Sequence, residues 1–387
     1  MSDLIEKLRA QAADFVAIRR DLHRHPEMGY KEFRTSDLVA KSLQEWGYEV
    51  ARGFGGTGLV GQLRKGSGGR SLGIRADMDA LPLQEMTGLS YQSSVPDVMH
   101  ACGHDGHTAI LLAAAKELAT TEFSGTLNLI FQPAEESLGG ARRMMDDGLF
   151  TRFPCDAIFA LHNMPGTPTG RLVLREGPTM ASADNVTIVL HGKGGHGAFP
   201  HLGADPVLAG ASIVMALQSI VARNIDPQKT AVVSVGTFQA GSNFNVIPQT
   251  AMLRLSVRSL DHGVHDLLEQ RIRDLVTTQA QSYGVRAEID YHRSYPVLVN
   301  TPSETEFARQ VARELVGEAE MVAQAEAMTG SEDFAFMLEE VPGSYVFLGN
   351  GDGAGSCMVH NPGYDFNDEI LPVGAAYWVL LTQRFLR

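Results

Sequence analysis

The chain has 387 residues and a formal net charge of -13. This length exceeds what one ordinary hydrophobic core serves, so we expect two domains. The composition, 44% hydrophobic and 20% charged, is that of a soluble globular protein. The negative charge would repel polyanions, and no cluster of Lys and Arg with interleaved aromatic residues offsets it, so we expect no nucleic-acid partner.

The N-terminal segment and the cysteines indicate the compartment. Residues 1–15, MSDLIEKLRAQAADF, carry charges every few positions, where a secretory signal needs an unbroken apolar stretch. The longest apolar run, residues 109–115, is too short to span a bilayer. The three cysteines, Cys102, Cys155 and Cys357, are an odd number, which argues against a disulfide framework. We therefore expect a cytoplasmic protein that does not enter a membrane.

Helices and strands alternate in the first part of the chain. Apolar spacing predicts helices at residues 4–22 and 36–46, and the Gly-rich segment 53–69 predicts a hairpin. Apolar runs that end in ionisable residues follow at 71–79, 125–136, 155–163 and 344–352, with a helix at 107–119 for which Asp105 is the predicted N-cap. The alternation predicts an α/β domain with a mainly parallel sheet, helices on both faces, and functional groups at the carboxyl ends of the strands.

The order of elements changes between residues 183 and 295. Strand, helix, two strands, helix and a final strand follow one another there, which is the βαββαβ order of a ferredoxin-like α+β domain. The helix-and-strand pattern of the first part resumes after Pro296. We therefore predict a discontinuous domain of residues 1–182 and 296–387, with the smaller domain, residues 183–295, inserted between its halves.

The octet HACGHDGH, residues 100–107, concentrates metal-ligating side chains. Only Gly103 separates Cys102 from His104, so both side chains can point to the same side. A thiolate beside an imidazole suits zinc, and with lower preference manganese, cobalt or nickel. The alternative is a polar turn assembled by chance. Within the octet, His107 is interpreted as a first-turn residue of the helix and His100 as a structural group.

Glu135 and Glu136 are two adjacent carboxylates at the end of an apolar strand. Buried together they repel each other unless a cation compensates them. In extended backbone adjacent side chains face opposite ways, so one could bind a metal while the other reaches a metal-bound water. The commoner meaning of such a pair is a solvated acidic turn, and this alternative stays open for the pair alone.

Histidines at two other loop ends extend the pattern. His162 closes AIFALHN and His360 lies in SCMVHNPGYD, and for each alone the commoner explanation is a histidine bonded to backbone. Because Cys102, His104 and Glu136 also follow predicted strands of the same sheet, the convergence favours metal binding. Five ligands exceed the four that close a structural zinc site, and they indicate two ions with open positions for water and substrate.

Two further motifs carry polar side chains. In RADMDALP, Asp77 and Asp79 form an alternating pair, of which one could orient a ligating histidine or cap a turn. GKGGHGAFPH lacks the spacing of a phosphate-binding loop. Its His196, between glycines, is more naturally an exposed hydrogen-bond donor than a core residue.

Nine stretches together resemble the M20 metallopeptidase and amidohydrolase family, in the branch of hippurate hydrolases, auxin-conjugate hydrolases and bacterial N-acyl-amino-acid amidohydrolases. They run from about residue 20 to the C-terminus: DLHRHPEMGYKEFRTS, GIRADMDALPLQE, MHACGHDGH, IFQPAEESLGGA, ALHNMPG, GKGGHGAFPH, NVIPQTAMLRLSVRS, TGSEDFAF and MVHNPGYDFND. The resemblance implies a two-metal catalytic domain and a lid domain through which the chain forms a homodimer or tetramer.

The resemblance also implies roles for individual residues. The metal ligands would be Cys102, His104, Glu136, His162 and His360. Glu135 would be the general base, Asp79 would belong to the catalytic set, and His196 would reach the carbonyl oxygen of the substrate, often across the dimer. Asn245, Arg258, Gly330 and Ser331 fall where relatives bind polar groups of the substrate.

The chain departs from the wider family at two places. Many members have a His-x-Asp ligand pair where this chain has Asp77-Met78-Asp79, and a bridging Asp where it has the Cys102 region. Both departures match the hippurate-hydrolase branch. The soft sulfur ligand leaves zinc or manganese as the first expectation for the two divalent ions, with cobalt or nickel as alternatives.

The expected reaction is hydrolysis of the amide of an N-acyl amino acid to a carboxylic acid and a free amino acid. One alternative is a metallo-dipeptidase or aminopeptidase on the same scaffold, which would need a free α-amino group on its substrate. Another is a binding relative with an inert site. A cysteine-nucleophile role for Cys102 with His104 is disfavoured, since a separation of two residues suits co-ligands better.

Overall fold

The structure, a computed structural model, describes residues 3–353 and 356–387, apart from the side chains of residues 137 and 138. The chain divides into two compact units. The first comprises the described residues up to Gly177, with Val299–Glu326 and Asp333–Arg387, and the second comprises Pro178–Leu298 and Ala327–Glu332. Residues 327–332, which the sequence pattern assigned to the larger domain, thus group with the smaller unit.

The helices and strands follow in chain order. The helices are α1 (Asp3–Ala10), α2 (Ala12–Arg24), α3 (Phe33–Glu45), α4 (His104–Thr120), α5 (Glu135–Leu138), α6 (Gly140–Asp146), α7 (Leu149–Arg152), α8 (Pro206–Asn224), α9 (His262–Ser282), α10 (Pro302–Val316), α11 (Phe334–Glu340) and α12 (Leu371–Phe385). The strands are β1 (Glu49–Phe54), β2 (Gly58–Lys65), β3 (Ser71–Asp77), β4 (Gly125–Gln132), β5 (Ala157–Pro165), β6 (Leu172–Val173), β7 (Gly177–Met180), β8 (Ser182–His191), β9 (Gly195–His196), β10 (Ala231–Ala240), β11 (Val246–Ile247), β12 (Thr250–Ser259), β13 (Arg286–Tyr295), β14 (Leu298–Asn300), β15 (Met321–Val322) and β16 (Gly343–Gly351).

A single eight-stranded sheet, in the order β1-β2-β4-β3-β5-β16-β6-β15, is the centre of the first unit. Its middle strands β4, β3, β5 and β16 run parallel to one another, while β1 and β2 form an antiparallel hairpin at one edge. The middle strands are buried almost throughout, as expected for strands covered on both faces. The prediction of an α/β fold with a mainly parallel sheet is confirmed.

Helices cover both faces of this sheet. Phe159 on β5 packs against Phe307 of α10 and Phe385 of α12, with ring centroids 6.1 and 6.4 Å away. The next position on β5 is paired with Tyr345, whose ring faces the other way and lies 5.9 Å from that of Phe334 on α11. The carboxyl ends of β3, β4 and β5 consequently meet at one edge of a fully covered sheet.

Several predicted element boundaries differ from the structure. The first predicted helix is divided at Gln11 into α1 and α2, and the second begins at Phe33 rather than at residue 36. Helix α4 begins at His104, and its N-cap is Gly103 with φ +97°. The prediction of Asp105 as the cap was wrong, because its carboxylate instead lies 2.9 Å from Nδ1 of His23 on α2.

The second unit contains a four-stranded antiparallel sheet in the order β10-β12-β8-β13. Together with the chain order β8-α8-β10-β12-α9-β13, this is the ferredoxin-like arrangement. Alternate residues of the central strands, among them Val186, Ile188, Leu253 and Leu255, form one apolar core with α8 and α9. The unit therefore has a hydrophobic core of its own.

Helix α8 is the one helix in the described part of the chain whose length and apolar composition would suffice to cross a membrane. Only 33% of that apolar stretch is buried. A single helix of this kind is weak evidence for a membrane protein, since core helices of soluble proteins meet the same criteria. Ile213, Leu217 and Ile220 of α8 belong to the core of the second unit.

Candidate metal centre

A first triad of candidate metal ligands, Cys102, His104 and His162, lies at the carboxyl edge of the large sheet. Their potential ligand atoms all lie within 4.8 Å of one another, and Cys102 Sγ is 3.3 Å from His162 Nε2. Cys102 precedes α4, His104 begins it, and His162 lies near the end of β5. The strand-end rule by which the sequence grouped these residues therefore describes His162, whereas Cys102 and His104 lie at the start of α4.

Hydrogen bonds at Nδ1 fix the orientation of both histidines. His104 Nδ1 lies 2.9 Å from the carbonyl oxygen of Asp79, and His162 Nδ1 lies 2.6 Å from that of Asn163. A nitrogen facing a carbonyl oxygen must carry the proton, so Nε2 is the atom left to bind a metal. His104 Nε2 is buried, and no described residue offers it a hydrogen bond. Such an orphaned atom beside a thiol fits a metal ligand.

Cys102 belongs to a second triad with Glu136 and His360. The ligand atoms again lie within 4.8 Å of one another, and His360 Nε2 is 3.1 Å from Glu136 Oε1. His360 lies in a loop after β16 and has a φ of +64°. Because Cys102 is common to both triads, its sulfur stands between two adjacent positions for cations. The donor set of sulfur, imidazole and carboxylate fits two divalent metal ions.

A third group contains Glu135, Glu136 and His104, whose potential ligand atoms also lie within 4.8 Å of one another. The prediction that the two carboxylates separate because the backbone is extended was wrong, since both lie in the first turn of the short helix α5. Successive helical side chains are rotated by about 100° instead, which also gives the two carboxylates different directions. Ala134, just before them, has a left-handed φ of +54° and directs the chain from β4 into α5.

Asp79 contacts one candidate ligand from each triad, His104 and Glu136. Its main-chain oxygen and its Oδ1 face His104 Nδ1, at 2.9 and 3.3 Å, and its Oδ2 accepts a hydrogen bond of 3.0 Å from the backbone N–H of Glu136. This carboxylate therefore orients one candidate ligand and fixes the backbone of another. These contacts are those of a residue that positions the ligands.

Asp77 serves the neighbouring histidine, His107. His107 Nδ1 lies 2.6 Å from Asp77 Oδ1, and His107 Nε2 accepts a 3.0 Å hydrogen bond from the backbone N–H of Asn163. The potential ligand atoms of Asp77, His104 and His107 also lie within 4.8 Å of one another, which is close enough to hold a metal ion. Both nitrogens of His107 are however occupied, and Arg75 donates to the Asp77 carboxylate at 2.8 Å, so we interpret this group as structural.

A buried hydrogen-bond network stabilises the loop that contains Cys102. Asn163 donates from Nδ2 to the carbonyl oxygen of Cys102 at 2.7 Å and accepts from the hydroxyl of Tyr364 at 2.7 Å. Gly103 is required at this place, because a Cβ there would lie 2.2 Å from Asn163 Nδ2 and 2.5 Å from the Tyr364 hydroxyl. The loop can pass only with its bare backbone turned toward the network.

Protons compete with metal ions at this centre. Burial opposes charge on His104, but Asp77 and the Cys102 sulfur raise the pKa of His104 well above its usual value. Burial and the Glu136 carboxylate raise the pKa of the Cys102 thiol. Hydrogen bonds with Cys102 and Glu136 raise the pKa of His360 to about 10, whereas burial and His107 lower that of His162. Metal binding must therefore displace protons, and alkaline pH favours it.

The remaining predicted site residues lie in the second unit, where they form two pairs. His196 on β9 is opposite Val246 on β11, and the N–H of Gly197 donates to the carbonyl oxygen of Asn245 at 2.8 Å. His196 is exposed, and its Nδ1 accepts from the N–H of Ala198 at 3.0 Å, so Nε2 carries the proton and is available as a donor as far as the described residues go. His196 and Asn245 are thus neighbours on one ribbon.

Arg258 and Ser331 form the other pair. Arg258 Nη1 donates to Ser331 Oγ at 2.8 Å, and the carbonyl oxygen of the adjacent Gly330 accepts a hydrogen bond from Ala181 at 2.8 Å. Arg258 is half-buried on β12. Burial lowers the pKa of its guanidinium from the usual value, and the charge of Asp184 offsets part of this effect. A guanidinium so placed can bind a carboxylate.

Four supporting residues were not identified from the sequence: Glu32, His23, Asn163 and Tyr364. All four lie in the motifs DLHRHPEMGYKEFRTS, ALHNMPG and MVHNPGYDFND, but neither their neighbours in the chain nor their spacing indicates a partner. Each has at least one hydrogen-bond partner that lies 61 or more residues away in the chain. Only the quoted motifs themselves could have drawn attention to them.

Comparison with known proteins agrees with this geometry. Residues 73–384 match the family described as peptidase family M20/M25/M40. The chain is 45% identical over 385 residues to a hippurate hydrolase of Campylobacter jejuni, with 100% of both chains covered, and 38% identical over 395 residues to thermostable carboxypeptidase 1 of Saccharolobus solfataricus, with 99% of both covered.

A solved structure extends the comparison to the fold. The structure of the YXEP protein of Bacillus subtilis, described as a dinuclear metal binding peptidase from the M20 family, superimposes with a TM-score of 0.85. It is 34% identical, and the match covers 98% of this chain and 99% of that one. The family model spans most of the chain and the relatives are hydrolases that match it end to end. The chain therefore belongs to peptidase family M20/M25/M40, and it is a metal-dependent hydrolase of amide bonds.

Proposed function

We propose that the chain hydrolyses N-acyl amino acids, releasing a carboxylic acid and a free amino acid. The observation that carries the proposal is the sharing of Cys102 by two ligand triads, with the Glu135 carboxylate beside them. The end-to-end similarity to a hippurate hydrolase supports this substrate class. Hippurate and the C-terminal bond of a peptide have a common feature, an amide whose nitrogen belongs to an amino acid with a free carboxylate.

Two divalent ions would be held by the two triads. Cys102, His104 and His162 would bind one ion, and Cys102, Glu136 and His360 the other. Zinc or manganese is the proposed metal, with cobalt or nickel as alternatives, because the ligands combine a soft sulfur with imidazole and carboxylate. When bound, two such ions supply Lewis-acid chemistry that acidifies water and polarises an amide carbonyl.

Glu135 would act as the proton carrier. Glu135 is buried and precedes the candidate ligand Glu136 in the chain. The potential ligand atoms of Glu135, Glu136 and His104 lie within 4.8 Å of one another. It would take a proton from the attacking water and later deliver that proton to the leaving amine, so that one carboxylate serves as base and then as acid. Positioned proton transfer of this kind contributes roughly 100- to 10,000-fold in rate.

Residues of the second unit would bind the rest of the substrate. The Nε2–H group of His196 would donate a hydrogen bond to the carbonyl oxygen of the substrate as negative charge develops there. Comparable donors stabilise the transition state by about 3 kcal/mol. Arg258 would bind the free carboxylate of the amino acid, with Ser331 and Gly330 lining the same place, and Asn245 would bind a polar group beside His196. These assignments rest on the family resemblance and on the donor groups of His196 and Arg258 described above.

We also propose that the chain forms a homodimer, or a tetramer, through the second unit. Leu208 and Met215, seven residues apart on one face of α8, are 57% and 74% exposed, and Phe238 on β10 is 39% exposed. Strand β10 is at the edge of its sheet. An apolar helix face beside an open strand edge suits pairing with a second copy of the same surface. Met215→Glu should then shift the mass measured by light scattering toward the monomer, and an unchanged mass would exclude this face.

Substrate panels test the proposed reaction. Protein stripped by a chelator and reloaded with zinc, manganese, cobalt or nickel is assayed on hippurate, on N-acetyl amino acids and on a dipeptide with a free α-amino group. We expect turnover of the acylated substrates and not of the free dipeptide. Preference for the free dipeptide would identify a dipeptidase or aminopeptidase, and no turnover with any of the four metals would identify a binding relative.

A carboxypeptidase is the second candidate function, because the Saccharolobus solfataricus relative bears that name and matches the whole chain. The two activities differ in the acyl side of the amide. N-acyl dipeptides and longer peptides, assayed beside hippurate, separate them: a carboxypeptidase should gain kcat/KM as the peptide lengthens, whereas the proposed enzyme should lose it.

A further inference from the structure

The turn that leads into Glu135 has an unusual backbone. Ala134 is fully buried and has a φ of +54°, a left-handed conformation that residues with a side chain rarely adopt. Glycine would tolerate this conformation without strain, but alanine occupies the position. Strain of this type persists only where the surrounding structure fixes it, and it often occurs at functional sites.

Glu32 fixes this turn from one side. Its Oε1 accepts a hydrogen bond of 2.9 Å from the backbone N–H of Ala134, and its Oε2 accepts one of 2.5 Å from the hydroxyl of Thr57. Glu32 is fully buried and Thr57 is 4% exposed. Glu32 lies just before α3, and Thr57 lies in the turn between β1 and β2, so the carboxylate joins three separate segments of the first unit.

Further contacts fix the turn beyond Ala134. The N–H of Glu136 donates to Asp79 Oδ2 at 3.0 Å, and the N–H of Gly140 donates back to the carbonyl oxygen of Ala134 at 3.0 Å. Glu135 is therefore flanked by two backbone N–H groups, each held by a buried carboxylate. Asp79 also orients His104, whereas the hydrogen bonds of the Glu32 carboxylate in the described part of the chain go to Thr57 and Ala134.

We propose that Glu32 is a positioning residue for Glu135: through the Thr57–Glu32–Ala134 hydrogen bonds it holds the left-handed turn that aims the Glu135 carboxylate at the reacting water. This inference rests on the proposed role of Glu135 as the base. Glu32 belongs to none of the candidate ligand groups among the described residues, so its removal should change turnover while the ligand triads stay intact. Misplacing a catalytic group by about 1 Å can lower a rate by up to 100-fold.

The test compares Glu32→Ala with Glu32→Gln. The glutamine retains an oxygen that can accept from Ala134, and its amide group can donate to the Thr57 hydroxyl, so it should keep most of the turnover. The alanine variant should lose at least about tenfold in kcat, with KM within about twofold of the parent. Both should still bind two metal ions per chain, with affinity measured on the metal-free protein by titration against a chelating dye.

Glu27 provides a matched control in the same segment. Its carboxylate also accepts two backbone N–H hydrogen bonds, from Arg34 at 3.0 Å and Thr35 at 2.9 Å, but these belong to the start of α3. Glu27→Ala should lower the unfolding midpoint without the loss in kcat. An equal loss of kcat in Glu27→Ala and Glu32→Ala would show a general effect of stability and would overturn the inference.

A double-mutant cycle separates this inference from the proposed function. If Glu32 acts through Glu135, then Glu32→Ala should have no further effect in a Glu135→Gln background, because the group that it positions is already absent. A multiplicative loss would overturn the inference while leaving Glu135 as the base. Full activity in Glu135→Gln alone would instead refute the base assignment on which the inference rests.

Remaining outcomes are also decisive. Glu32→Ala with kcat within about twofold of the parent, or Glu32→Gln as impaired as Glu32→Ala, would overturn the positioning role. A parallel loss of metal affinity and kcat would assign Glu32 to the metal centre instead. If Glu32→Ala does not fold, Thr57→Val removes only the donor to Oε2. It should lower kcat in the same direction by a smaller factor, and an unchanged kcat there would count against the inference.

Discussion

Replacing Gly103 by alanine would place a methyl group where two side chains below the metal centre already meet. The new Cβ would lie 2.2 Å from Asn163 Nδ2 and 2.5 Å from the Tyr364 hydroxyl, far inside contact distance. The φ of +97° adds about 1 to 2 kcal/mol for any residue with a side chain. Displacing Asn163 would also break its buried hydrogen bond to Cys102, at about 1 to 3 kcal/mol. We therefore expect a loss of about 2 to 5 kcal/mol in the free energy of unfolding.

The assay is urea denaturation of metal-free protein, followed by metal titration of the folded variant. Gly47→Ala is the matched control, because Gly47 has a similar φ of +87° but nothing within 4 Å of the added Cβ. It isolates the backbone cost, so the difference between the two variants reports the collision with Asn163 and Tyr364. Equal destabilisation of the two variants, with unaltered metal affinity in Gly103→Ala, would refute the reasoning.

Three other predictions follow from the centre and its surroundings. Glu135→Gln should retain two metal ions per chain by elemental analysis yet lose roughly 100- to 10,000-fold in kcat, and unchanged kcat would rule Glu135 out as the base. His360→Ala removes a ligand from only one triad, so metal content should fall from two ions toward one, and retention of both would show that His360 is not a ligand. Burial opposes charge on His23, but the Asp105 carboxylate raises the pKa of His23 from 6.5 to about 9. Because the pKa of His23 is higher in the folded than in the unfolded state, the His23–Asp105 pair contributes its full stability below about pH 6.5. This contribution is lost as the pH rises through about 9. The gap in unfolding free energy between the parent and His23→Ala, measured with a chelator present, should therefore shrink from pH 6 to pH 10, and a constant gap would contradict the ion pair.

The positions of Glu136 and His162 could be predicted because they follow from strand order. In a parallel sheet the strand ends converge, and Asp77, Glu136 and His162 each follow an apolar run that is recognisable by itself. The structure brings Cys102, His104 and His162 together at that edge. Their role as ligands, like that of Glu135 as base, stays a prediction until metal is measured.

What could not be predicted depends on partners distant in the chain. Asp105 was interpreted as a helix cap because it stands at the start of an apolar run, yet its carboxylate pairs with His23, 82 residues earlier. The left-handed backbone of Ala134 has no signature in the sequence, since a glycine is the usual sign of such a turn. Glu32 is held by the same kind of long-range contact, 102 residues from Ala134. Local patterns identify strands and helices, but not which buried acid meets which N–H group.

The sulfur atom of Cys102 is common to the two candidate ligand triads. Because Cys102 belongs to both triads, loss of its sulfur would weaken both cation positions at once, whereas His162 and His360 each belong to one of these two triads. Cys155 and Cys357 belong to none of the ligand groups found in the described part of the chain, so neither can replace it. An oxidant or alkylating reagent that reached this thiol in the metal-free protein would disable both positions in one event, whereas bound metal would shield it. The enzyme's tolerance of oxidising conditions would then depend on how fully it is loaded with metal.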